Sequence, residues 1–265
     1  MGGHGGVDLY IDQKRLSLGE KRSTFGLFFC GEKLLESGGR AGEGGRVQCW
    51  EWKSRRLLWA VDEHEDIAYA VQAARGKVFS GGSDKTIAVL DIDSGKRLKH
   101  LLGHAGAVLA LAVSPDGKLL ASGGTDRSLR IWSTEDDALL RAINNHNDTV
   151  DALAWSPDGK YLASGSADRT VRVWQPEISR LVRIVRHDAP VLSLAFREGQ
   201  IISGSADGKV RIIDASSDAV LKALDGHKDW VTGIALWKEG FVSADWRGRV
   251  LAWSNGVPSE MERGN

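Results

Sequence analysis

A chain of 265 residues, 42% of them apolar, can bury one large core. Acidic and basic residues balance at 35 each, so no overall field draws the chain to nucleic acid or an anionic membrane. No apolar run approaches the ~20 residues of a membrane span, and two cysteines are too few for a disulfide framework, which favours a reducing, cytoplasmic compartment.

The first six residues, MGGHGG, lack the charge and apolar run of a signal segment and read as a flexible leader (1–6); Gly6 also stands where a myristoylation site needs Ser or Thr. Residues 7–18, VDLYIDQKRLSL, are strand-like. Cys30 and Cys49 fall in the apolar stretches GLFFCG and RVQCWEW and are expected as buried free thiols. GGRAGEGG (38–45) has the glycines of a phosphate loop but not its Gly-Lys-Ser/Thr ending, so an enlarged turn is expected there.

From this point one motif recurs. Trp50, Leu90, Trp132, Trp174, Ile213 and Trp253 stand 39 to 42 residues apart, and His64, His104, His146, His187 and His227 keep the same beat. A period of this length marks an array of supersecondary units, none of which can bury its apolar face alone. The segment from His104 to Trp132 shows what one unit encodes. AVLALAV (107–113) alternates small and branched apolar residues, as a strand covered on both faces does. SPDG (114–117) turns the chain into KLLASGG, with Pro115 setting φ and Asp116-Gly117 making the tight turn. Thr125-Asp126-Arg127 turns it again into SLRIW (128–132), and EDDA leads into LLRAI (139–143). Four short antiparallel strands are written into each period, and the copy from His146 to Trp174 repeats every step.

Polar residues recur at fixed offsets. Asp126 follows Ser122 by four residues and Trp132 follows it by ten; Asp168 and Trp174 stand in the same relation to Ser164. Ser80 with Asp84 and Ser203 with Asp207 keep the first spacing. Imidazole, hydroxyl, carboxylate and indole N–H can satisfy one another in a hydrogen-bonded chain, which ties strands together where unpaired polar groups are costly. His104, His146, His187, His64 and His227 are therefore expected in structural networks. Their spacing puts them in separate units, too far apart to share a metal ion. Ser, His and Asp repeat in series, whereas a nucleophile would be unique, so no catalytic residue, cofactor or small-molecule substrate is expected.

These residues resemble the WD40 repeat family, most closely over 60–254; the Trp-Asp dipeptide itself survives only by halves, as in Trp132-Ser133 and Leu90-Asp91. The resemblance implies an all-β fold, a β-propeller of four-stranded antiparallel blades. Six marks give six blades within one domain, residues 7–254, followed by a polar tail at 255–265. The tail looks too short and polar to supply a strand, so closure by an N-terminal strand (7–17) pairing into the last blade is expected. An open ring completed by a partner's strand is the alternative.

In this family the loops before strand one and between strands two and three share one face, usually the binding face. The resemblance therefore points to Ile67, Tyr69, Leu109, Thr149, Asp151, Leu192, Trp230 and Thr232, with Asp229 and Trp246 beside them, as partner-binding residues. Tyr69, Trp230 and Trp246 would be aromatic anchors and Asp151 and Asp229 polar selectors. In SADWRGRV, Trp246 and Arg247 replace the usual small residue and Asp, so Trp246 either is exposed or folds back into the space of a missing turn Asp. Arg130, Arg172 and Arg211 repeat in step and suggest internal pairing, while Arg180, Arg183 and Arg186, and Lys53, Arg55 and Arg56, suggest solvated rim strips without interleaved aromatics for base stacking. The expected function is a non-catalytic scaffold with a protein partner, often in a multiprotein complex. The alternatives are a structural subunit of a large assembly, or a nucleic-acid module using rim arginines.

Overall fold

Each period folds as the alternation dictates. In a computed structural model, residues 7–11, 14–18, 23–144, 146–217, 219–254 and 256–261 are described; for 7–18 this covers strand pairing alone. Six four-stranded antiparallel sheets follow one another along the chain, at 23–64, 68–101, 108–144, 150–186, 191–225 and 231–260, each a simple meander. They are the six blades of a propeller. In blade three the strands are Val108–Val113, Leu119–Gly124, Ser128–Ser133 and Leu139–Asn144, within a residue or so of the sequence expectation. Its first turn is held as the residue types require. Gly117 has φ 70°, the left-handed region, and Asp116 accepts the Ser114 hydroxyl at 2.7 Å and the Lys118 N–H at 3.0 Å.

The first strand of each blade packs on the first strand of the next, from Ser23–Cys30 on Ala68–Ala74 through to Val191–Arg197 on Val231–Trp237, so the first strands form the inner wall. The core lies between blades. Phe79, Ile87 and Val89 of blade two meet Leu111, Leu120 and Trp132 of blade three, all buried. An indole hides about 150–250 Å², which at about 25 cal/mol/Å² stabilises by roughly 4–6 kcal/mol. Trp155 adds a directional tie, donating its Nε1–H to the Ala112 carbonyl of the preceding blade at 3.0 Å.

Every first strand carries a β-bulge at one equivalent place: Phe25, Tyr69, Leu109, Asp151, Leu192 and Thr232 are the extra residues. A bulge re-aims its side chain and ends regular pairing, which singles out this level of the wall.

Three expectations are corrected. The fourth strand of blade six is Val257–Glu260, which pairs with Val250–Ser254, so the supposed tail supplies it. Gly256 at φ 82° gives the tight turn that lets so short a segment fold back. The expected closing strand, 7–17, pairs internally instead, Val7–Ile11 antiparallel to Lys14–Leu18. GGRAGEGG makes no enlarged turn: Lys33–Arg40 and Gly44–Glu51 lengthen to eight residues each and absorb it. Cys49 is buried and Cys30 half-buried, and both are free thiols. The leader, residues 1–6, lies outside the described residues.

Candidate functional site

Beneath the loop face, the fixed offsets bring the polar residues together. In blade four, Asp168 can only accept, so the His146 Nδ1–H donates to it, at 2.8 Å. The other ring nitrogen, Nε2, then accepts the Ser164 O–H at 2.7 Å, and the Ser164 oxygen accepts the Trp174 Nε1–H at 2.8 Å. Every donor and acceptor in the chain is used. Burial lowers the His146 pKa, keeping the ring neutral as this pattern needs. Burial alone would raise Asp168, but hydrogen bonds from Thr170, the Asn147 N–H and His146 hold it down to about 2.

The other blades vary this theme. His104, Ser122, Asp126 and Trp132 repeat it, with His104 2.9 Å from Asp126 and Trp132 donating to Ser122 at 2.9 Å. His64 spans Ser80 and Asp84, but Leu90 replaces the indole. His187 Nε2 meets Ser203 at 2.8 Å, while Asp207 pairs with Arg211 at 2.6 Å and makes no hydrogen bond to the ring. Burial and the Arg211 guanidinium push the His187 pKa down to about 4. Blade one, without a histidine, puts Glu36 at the serine's place, where it accepts from Trp50 and Thr24.

Blade six contains a residue the sequence reading missed. Asp245, two positions early, takes the role of the turn Asp: His227 is 3.0 Å from it and 2.6 Å from Ser243, which also accepts from Trp253. Ser-x-Asp in place of Ser-x-x-x-Asp was the available signal. No space is left for Trp246 to plug, and it is 57% exposed. Arg130 and Arg172 pair with Asp126 and Asp168, as Arg211 does with Asp207, so these arginines are internal ties.

One backbone hydrogen bond recurs on the loop face. Ser83 donates to Ile67, Thr125 to Ala107, Ala167 to Thr149, Ala206 to Pro190 and Trp246 to Trp230, all at 2.9–3.0 Å. It clamps the loop before each first strand to the turn after the second. In blade six both clamped residues are tryptophans, so the clamp itself sets their rings side by side, centroids 6.3 Å apart. Trp230 is 52% exposed. Below them the Asp229 carboxylate caps the Trp230 N–H at 2.8 Å and accepts Arg247 Nε–H at 2.8 Å.

The remaining expected residues spread around the same level. Ile67, Tyr69, Leu109, Thr149, Asp151, Leu192 and Asp229 are half-buried and Thr232 is exposed. Tyr69 meets Phe25 edge-on at 5.5 Å, so the aromatics form two separate pairs and not one cluster. Thr149 donates to Asp151 at 3.1 Å, yet burial, aided by Asp148, pushes the Asp151 carboxyl up to about 6. On the rim, Lys53 and Arg56 pair with Glu32 and Glu51, and Arg183 donates to the Ala215 carbonyl.

Comparison with known families agrees with this geometry. The WD domain, G-beta repeat family matches residues 95–133, 138–175 and 179–214, so these three segments are WD40 repeats. Each matched window begins at the outer strand of one blade and ends at the third strand of the next. No curated protein matches the chain. WD40 repeats build a scaffold used in general for protein interactions, and the family is generally non-catalytic. No described helix is long and apolar enough to cross a membrane.

Proposed function

We propose that this WD40-repeat chain is a non-catalytic scaffold that binds a protein or peptide partner on its loop face, anchored at Trp230 and Trp246. The adjacent, half-exposed indoles carry this reading. Exposed aromatics held rigidly supply contact area at little entropic cost, and such residues dominate interface energetics. The clamp from Trp246 to Trp230 provides that rigidity. Asp229, Arg247 and Asp151 add polar selection, and Ile67, Tyr69, Leu109, Thr149, Leu192 and Thr232 extend the surface. Rim cations interleaved with Glu32 and Glu51 favour a protein partner over a nucleic-acid track. Two unbridged thiols suit a reducing compartment, and a cytoplasmic location belongs to the same reading.

The test is affinity capture with the wild-type chain and with Trp230→Ala/Trp246→Ala. Loss of two anchors worth about 2 kcal/mol each weakens binding roughly a thousandfold, while exposed positions leave the melting temperature unchanged. Retention of every captured partner by the folded double variant refutes the assignment.

A further inference from the structure

At the bulge level of the inner wall, Phe25, Tyr69, Leu109, Leu192 and Thr232 are uncharged at neutral pH. The bulge of blade four alone carries an acid, Asp151. The first strand of blade four packs between those of blades three and five, so the neighbouring bulges are those of Leu109 and Leu192. Asp151 is half-buried among them. The Thr149 hydroxyl donates to its Oδ2 at 3.1 Å.

The acids of the polar networks each meet a basic side chain: Asp84, Asp126, Asp168 and Asp245 a histidine, and Asp207 the Arg211 guanidinium. Beside them on the loop face, Asp188 also reaches Arg211 and Asp229 reaches Arg247. Asp151 differs. Among the described residues no lysine, arginine or histidine pairs with it, and the nearby charge is a second carboxylate, Asp148. Burial first, then Asp148, holds the Asp151 carboxyl up at about 6, so at neutral pH it is an ionised group without a counter-charge. A cation brought from outside supplies that charge, and the apolar surroundings strengthen the attraction.

Blade five alone separates this acid from the Trp230–Trp246 pair. Its loop offers the half-buried, apolar Ala189, Pro190 and Leu192, and the one acid there, Asp188, is taken up by Arg211. We propose that Asp151 is the docking point for a lysine or arginine side chain of the protein or peptide partner, whose backbone runs from the two indoles across Pro190 and Leu192 to the blade-four bulge. This inference deepens the loop-face reading and rests on it. It fixes the chemistry of the partner: a segment with an apolar or aromatic residue for the indoles and, at a set spacing, a single cation. With the chain as a whole neutral, the attraction is local to this bulge.

The probe is a library of random linear peptides displayed on phage and selected at neutral pH on the immobilised intact chain. Wild type should enrich sequences with Lys or Arg at a fixed spacing from an apolar or aromatic residue, and Trp230→Ala/Trp246→Ala should lose them. For the strongest synthetic peptide, Asp151→Asn and replacement of the peptide's own cation by Gln should each weaken binding at least tenfold. Together they should weaken it little more than either alone, because both remove the same pair. Asp151→Asn relieves an uncompensated charge, so the variant stays folded, which a melt verifies. Peptides that need the indoles but bind Asp151→Asn as well as wild type overturn the docking point and leave the loop-face reading standing. Additive losses place the cation elsewhere and overturn it too. Peptides held through Asp151 by Trp230→Ala/Trp246→Ala remove the indole anchors and the route, not the docking point. No enrichment over the bare support overturns both.

Discussion

Ser164→Ala offers a direct measure of what the buried polar chains contribute. The Ser164 oxygen accepts from Trp174 at 2.8 Å and its proton goes to His146 at 2.7 Å. Both partners are buried, at 1% and 7% exposure, so neither finds water when the hydroxyl is removed. An orphaned buried group costs about 1–3 kcal/mol, and two of them cost about 2–5 kcal/mol, allowing for shared relaxation. Ser203→Ala in blade five is the internal control. Ile213 stands where the indole would be, so Ser203 serves His187 alone and its loss costs about 1–3 kcal/mol. Urea unfolding followed by circular dichroism measures both variants in the same background. Ser164→Ala should be the less stable by at least about 1 kcal/mol, or about 2–4 °C in a melt for a body of this size. Equal losses, or an unchanged midpoint for Ser164→Ala, would show that the indole bond contributes nothing and would refute the network account.

Asp151 gives a prediction with a pH sign. Its pKa in the fold is about 6 against an ordinary 3.8, so folding disfavours ionisation; the group's contribution is full below pH 3.8 and is lost as pH rises through 6. Asp151→Asn should therefore stabilise at pH 7.5, by about 1–2 kcal/mol after discounting a ceiling of about 3 for a half-exposed site, with almost no gain at about pH 3; melts at the two pH values check this, and an equal gain at both would sink it. Gly124→Ala should destabilise by about 1–3 kcal/mol or more, because a Cβ there meets the Ala107 carbonyl oxygen at 1.9 Å. Gly233→Ala, with its nearest neighbour at 3.6 Å, should stay within about 0.5 kcal/mol of wild type in the same denaturation assay.

Much of the architecture was legible because repetition averages out local ambiguity. The four strands of blade three and the Ser122–Asp126–Trp132 spacing could be read directly, since turn residues and polar offsets recur in register. What misled was exception. Val257–Glu260 is too short and polar to announce itself as a strand; it pairs only because Gly256 returns it along Val250–Ser254. Asp245 escaped notice because a two-residue shift breaks the offset while preserving the bond to His227. The site was half visible. Trp230 and Trp246 stood out as departures from small residues, but their adjacency depends on a backbone hydrogen bond that no side-chain pattern encodes. Tyr69 was grouped with them by residue type, and its partner proved to be Phe25.

The offset between sequence repeat and structural blade carries a consequence for how the molecule comes apart. Each matched window, such as 95–133, straddles two sheets, like a roof tile nailed under the one above it. Pulling out one window would strip the outer strand from one sheet and three strands from the next, so damage cannot stay within a single layer. Loss of order should therefore travel along the row, and fragments cut at window borders should be poorer autonomous folders than fragments cut between sheets.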